Sequence, residues 1–151
     1  AEDVGMADPQ ALSVAVAAQQ AVHFVGMPEG RILLAEATVY LATAPKSNSA
    51  YAAIDQALED VRKTPNEPVP LHLRNAVTPL MRKSGYGHDY KYAHSYPDHF
   101  AGQQNLPDSL KERVYYEPSD QGYEKEVAER ISRWWGGRKG KGAPEGKGRS
   151  A

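Results

Sequence analysis

The stretch between Pro28 and Pro45 constrains this chain most, because it is apolar on almost every side of the helix it encodes. Ile32, Leu33, Ala35, Ala37, Val39, Tyr40 and Leu41 leave Arg31, Glu36 and Thr38 as the main polar positions. Pro28 suits the opening of a helix, and Ala44-Pro45 closes it, since a residue before proline is pushed out of the helical region. A helix without a polar face is expected to be central or clamped between partners.

Its neighbours are readable from the same punctuation. Asp8-Pro9 is a helix start, with Asp8 able to cap free N–H groups and Pro9 at a position where its missing N–H costs nothing. That first helix should run to Val25, with Leu12, Val16, Val22 and Val25 near one another, alanines between them and Gly26 as the stop. A third helix from about Ser49 to Lys63, capped by Ser47 or Asn48, places Tyr51, Ile54, Leu58 and Val61 in one stripe. Asp55, Glu59, Asp60 and Arg62 are left for solvent. Three helices joined by two short turns predict an antiparallel bundle.

Beyond Thr64 the character changes. Pro65, Pro68 and Pro70 forbid a helix and predict an extended crossing of the surface. Thr78-Pro79 can start a short helix that Gly85 ends, and an irregular Tyr-rich stretch follows. Within it Lys91 to Ala93 and Val114 to Tyr116 could pair as a small two-stranded ribbon. A last helix is expected from Ser119 or Asp120 to Trp135, with acids early, Arg130 and Arg133 late, and an apolar stripe of Tyr123, Val127, Ile131 and Trp134. The fold class is therefore mainly α: one helical domain over residues 1–135, then a Gly-rich basic tail over 136–151 that has no apolar side chains to bury and is expected to be disordered.

Composition narrows the function. At 151 residues the chain is the size of one domain, and with no cysteine it can hold no disulfide, zinc-thiolate site or thiol nucleophile. No apolar run reaches the roughly 20 residues that span a bilayer, so no membrane partner is expected and the protein should be soluble; the absence of cysteine permits a reducing, cytoplasmic location. The start at Ala1 rather than Met suggests a domain of a longer protein or a processed chain. The net charge of −1 hides an asymmetry: the tail carries net +4 and the body −5, which makes the body alone a poor nucleic-acid binder.

No catalytic constellation stands out. His88, Asp89, His94, Asp98 and His99 are metal-ligand types, but their spacing matches no familiar signature and the surface or structural reading is favoured, so neither a metal nor another cofactor is expected in this chain. The serines sit at turns and helix ends, where capping explains them, and no phosphate-cradling glycine loop is present. Tyr90, Lys91, Tyr92 and Arg113, together with Arg138, Lys139 and Lys141 of the tail, form a candidate nucleic-acid or partner surface. Against it stands the reading that tyrosine rings fill a small core while their hydroxyls satisfy an irregular backbone. Trp135 is either a rim contact or an anchor for a partner.

Several segments taken in order carry a resemblance. They are Glu2-Asp3-Val4-Gly5 with Ala7-Asp8-Pro9, Pro28-Glu29-Gly30-Arg31, Ala44-Pro45-Lys46-Ser47-Asn48, Pro70-Leu71-His72-Leu73-Arg74-Asn75, Tyr90-Lys91-Tyr92-Ala93-His94, Leu106-Pro107-Asp108-Ser109-Leu110 and Gln121-Gly122-Tyr123-Glu124. Over about Glu2 to Trp135 the chain closely resembles the C-terminal region of the replication-associated recombination protein A family, also called MgsA, whose eukaryotic relative is the Werner-helicase-interacting ATPase. The resemblance implies part of an AAA+ ATPase related to clamp loaders, with a collar-like helical region that assembles the protein into a homo-tetramer. It implies ATP and Mg bound in an upstream domain, action at stalled forks and DNA junctions, single-stranded DNA-binding protein as a partner, and a bacterial, nucleoid-associated location. The family's Walker motifs and arginine finger have no counterpart here, so no catalysis is expected from this chain. The family's collar also begins upstream of Glu2, so a helix covering the first helices is expected to be missing. Val22, Leu33, Val39 and Tyr40 are the candidates for core or interface.

Overall fold

The computed structural model describes residues 1–136, and within them five α-helices and five short 3₁₀ turns but no strand. The helices are α1 (Gln10–Val25), α2 (Gly30–Thr43), α3 (Ser49–Lys63), α4 (Pro79–Lys83) and α5 (Glu124–Trp135). Proline and capping residues set most of these ends. Asp8 Oδ1 accepts the Gln10 N–H at 3.0 Å, and Thr78 Oγ1 accepts the Met81 N–H at 3.2 Å with Pro79 in the first turn. The α1–α2 turn relies on Gly26, whose φ of 77° and ψ of −173° lie in a region that side chains rarely reach.

α1 and α2 form an antiparallel hairpin, the most extensive contact between elements. Small residues permit it. A Cβ on Gly30 would lie 3.2 Å from Met27 Sδ and 3.3 Å from Val22 Cγ1, so the missing side chain lets α2 start close against the end of α1. Ala37, further along the same side of α2, is buried. The Tyr40 hydroxyl donates to Asp8 Oδ2 at 2.7 Å and ties the far end of α2 back to the entry of α1.

α3 departs from the expected bundle. It packs on the 3₁₀ turn at Gly5–Ala7, and no comparable contact joins it to α1 or α2. Its orientation is also the reverse of the one its periodicity suggests. Tyr51, Ile54, Leu58 and Val61 are exposed, and Asp60, expected at the surface, is buried. Periodicity groups the apolar residues correctly, but the buried side is decided by the partners that Asp60 finds, described below.

Two further expectations change. Lys91–Ala93 and Val114–Tyr116 do not pair as a ribbon among the described residues; the Lys91 N–H instead donates to Gln103 Oε1 at 2.9 Å. The last helix begins at Glu124, not at Ser119 or Asp120, because Gly122 is held at φ +50° while the Tyr123 N–H donates to Ala7 O at 2.8 Å. The basic tail, with Arg138, Lys139 and Lys141, lies outside the described residues.

The buried apolar residues among those described are Val4, Ala7, Ala11 and Ala37, all small. Such a core supplies little hydrophobic stabilisation, since each alanine buries roughly one methyl group. The N-terminal segment must therefore pack closely wherever other elements meet it. At Gly122 a Cβ would stand 2.1 Å from Ala7 O and 2.7 Å from Pro45 Cγ. Gly122→Ala should accordingly lower stability by about 2 kcal/mol or more, through the strained positive φ and the backbone clash together. Thermal unfolding followed by circular dichroism measures this, and an unchanged Tm would show that the contact is not made.

Candidate functional site

Two buried carboxylates hold the irregular C-terminal half onto the helices. Glu124, at the first turn of α5, has no accessible surface. It accepts the Ser47 hydroxyl at 2.7 Å, the Tyr116 hydroxyl at 2.8 Å, and the Ser119 N–H and hydroxyl at 2.8 and 2.5 Å. Ser47 comes from the α2–α3 turn and is itself fixed, its N–H donating to Asp3 O at 2.9 Å and its Oγ accepting the Ser49 N–H at 3.2 Å. One carboxylate thus joins the N-terminal segment, the turn before α3, the 116–119 strap and α5.

No cation among the described residues pairs with Glu124. Burial alone would raise its pKa, but the Ser119, Ser47 and Tyr116 donors outweigh burial and bring it down from 4.5 to about 2. Its place at a helix N-terminus acts in the same direction. The Tyr116 phenol is pushed well above its usual value, by burial first and then by the bond to Glu124.

Asp60 is the second anchor. Arg113 Nη2 donates to its Oδ1 at 2.8 Å and the Tyr115 hydroxyl to its Oδ2 at 3.0 Å. Successive residues of an extended chain point to opposite sides. Tyr115 therefore reaches α3 while Tyr116 reaches α5, and the strap between them is pinned from both sides. Neither carboxylate stands out in the sequence as an anchor: Glu124 reads as a dipole-favoured acid and Asp60 as a solvated one. The adjacent pair Tyr115-Tyr116 in an irregular segment is the one available signal that two acceptors wait on opposite sides.

Of the interface candidates, Val22 is half-buried against Gly30, and Leu33 is half-buried on the side of α2 that carries Gly30 and Ala37. Tyr40 is engaged with Asp8, and Trp135 meets Phe100 edge-on at 4.9 Å. Phe100 also stacks on Trp134 at 5.1 Å with the rings 4° from parallel. Val39 alone is open, 63% exposed, and it shares the outer side of α2 with Ile32 at 62%. That side and the α3 stripe are uncovered apolar surface, and on α1 Leu12, Val16, Phe24 and Val25, expected in part as a packing stripe, are exposed as well.

Among the surface candidates, Tyr90, Lys91, Tyr92 and Arg113 are all exposed, and Arg113 also pairs with Asp60. A cleft of about 470 Å³ lies beside them, lined by Leu71, His72, His88, Lys91 and Gln103 among others. His88 Nδ1 sits 2.9 Å from Asp89 Oδ2, and the rings of His94 and His99 are 5.0 Å apart. Among the described residues no three His, Asp or Glu side chains gather in a way that could hold a metal ion. No helix among them is long and apolar enough to cross a membrane.

Glu124 and Asp60 thus tie the irregular C-terminal half to a helical module whose outer sides carry exposed apolar side chains. The chain belongs to the family described as MgsA AAA+ ATPase C terminal, which matches residues 1–135. It is 46% identical over 132 residues to Replication-associated recombination protein A of Escherichia coli K12, and 44% identical over 133 residues to the protein of that name from Haemophilus influenzae. Each match covers 87% of this chain and 30% of the relative. It is also 46% identical over 117 residues to ATPase WRNIP1 of Dictyostelium discoideum, covering 77% of this chain and 13% of that protein. The chain therefore spans less than a third of the length of these relatives.

Glu124 makes stability depend on pH in a defined window. Its pKa is lower folded than unfolded, so its contribution is complete above about 4.5 and is lost as pH falls towards about 2. Glu124→Gln should cost about 2 kcal/mol at neutral pH and flatten the loss of stability below pH 4.5. Denaturant unfolding at several pH values reads both effects; a variant with the same acid profile as the parent would remove Glu124 from this role.

Proposed function

We propose that this chain is the assembly domain of an AAA+ ATPase that acts in replication-associated recombination. The observation that carries the reading is the open side of α2, where Ile32 and Val39 present apolar surface beside a core of four small residues. Surface of that kind on a module with so little interior favours burial against another subunit. The names of the bacterial relatives and of the Dictyostelium ATPase support the wider role. In this reading the ATP and Mg site lies in the preceding domain, and α2 faces pack isologously to bring ATPase modules into a clamp-loader-like homo-tetramer. The assembled protein works in the cytoplasm, with the nucleoid, on DNA forks or junctions, with single-stranded DNA-binding protein as a partner.

The alternative is a DNA- or partner-binding module built on the Tyr-rich loop and basic tail. It has Tyr90, Lys91, Tyr92 and Arg113 at the surface, but Arg113 is shared with Asp60 and the body before the tail is acidic. The assembly reading therefore leads. It predicts that the full-length protein is an oligomer by light scattering and that Ile32→Glu with Val39→Glu shifts it to smaller species without loss of helical signal. An oligomer that survives both substitutions unchanged would refute the α2 interface.

A further inference from the structure

An uncovered apolar face lies on α3, where Tyr51, Ile54, Leu58 and Val61 follow one another at spacings of three and four along one side. Exposure runs from 43% at Leu58 to 69% at Val61. The helix cannot roll to hide them. Asp60 on the opposite side is gripped by Arg113 and Tyr115, and the Ser49 N–H at the helix start is held by Ser47.

The beginning of the chain runs up against this same helix. The Gly5–Ala7 turn packs on α3, and Asp3 O accepts the Ser47 N–H. Asp55 and then Glu2 raise the pKa of the Tyr51 phenol through their negative charge, which sets residue 2 near the first residue of the stripe. Polypeptide entering residue 1 therefore arrives at the Tyr51 end of the exposed stripe. The relatives extend well beyond the matched region, which is the C-terminal part in this family.

We infer that the α3 stripe is the seat of the polypeptide directly preceding residue 1 in the full-length protein, docked within the same chain as an apolar-faced helix. A helix of about 15 residues is long enough to cover α3 from end to end. A segment joined by a short connection is held at an effective concentration in the millimolar range, which a second copy in solution does not match. The inference rests on the chain being the C-terminal part of a longer ATPase, and not on self-assembly through α2. It gives the open sides of α2 and α3 different occupants: another subunit on α2 and the protein's own preceding segment on α3.

The test uses the full-length protein with p-benzoylphenylalanine in place of Ile54, and separately in place of Leu58. On irradiation, peptide mapping should find both positions joined to residues of the segment directly before residue 1, within one chain, and the yield should not change on dilution. Products between two copies, products to any other segment, or no product at either position would overturn the inference. Light scattering on the same samples keeps the two readings apart: a monomer that still gives the intrachain product contradicts assembly alone.

Discussion

The carboxylate of Glu124 is the interaction on which the rest of this structure depends. It is a fully buried anion with no paired cation among the described residues, and it persists as an anion because four hydrogen bonds from three residues converge on it. Removing one donor leaves a charge partly unsatisfied in a low-dielectric site, which costs more than the donor's own bond contributes. The anchor also reaches across 77 residues of sequence, from Ser47 to Glu124. It therefore does for this fold what a disulfide or a large apolar core does for others. Asp60 repeats the device one side chain along the strap, using Tyr115 where Glu124 uses Tyr116.

Polar anchoring explains how large apolar faces can remain open without collapse of the fold. Val4, Ala7, Ala11 and Ala37 fill the interior, while Ile32, Val39, Ile54 and Val61 point away from it. In a self-sufficient domain the larger residues would be inside. Here geometry is specified by directional hydrogen bonds, and much of the large apolar surface stays exposed. That division of labour suits a C-terminal module of a longer AAA+ ATPase, where neighbours supply the missing cover.

Much of this was legible in the sequence. α3 begins and ends where Ser49 and Lys63 were expected, because polar capping residues and a following Pro leave little choice; α4 starts at Thr78-Pro79 for the same reason. The family could be read from segments spread along residues 2–124. What could not be read is direction. Helical spacing groups Tyr51 with Ile54, Leu58 and Val61, but the choice between core and surface was made by Arg113 and Tyr115, more than 50 residues away. The delayed start of α5 has a similar origin, since the pull of Ala7 O on the Tyr123 N–H is invisible to local propensity. Of the candidates for core or interface, Tyr40 and Val22 make contacts inside the chain and Val39 is exposed.

The central claim is that this module keeps its large apolar residues for partners and draws stability from burying them there. It is tested most directly by the concentration dependence of thermal unfolding of the chain itself. Anything that binds only the folded state raises its apparent stability by mass action. The account predicts a Tm that climbs steadily over a 100-fold range of protein concentration, as expected when folding and association are coupled. A Tm that stays constant over that range would contradict it, because the exposed face of α2 would then be compatible with a stable, solitary fold.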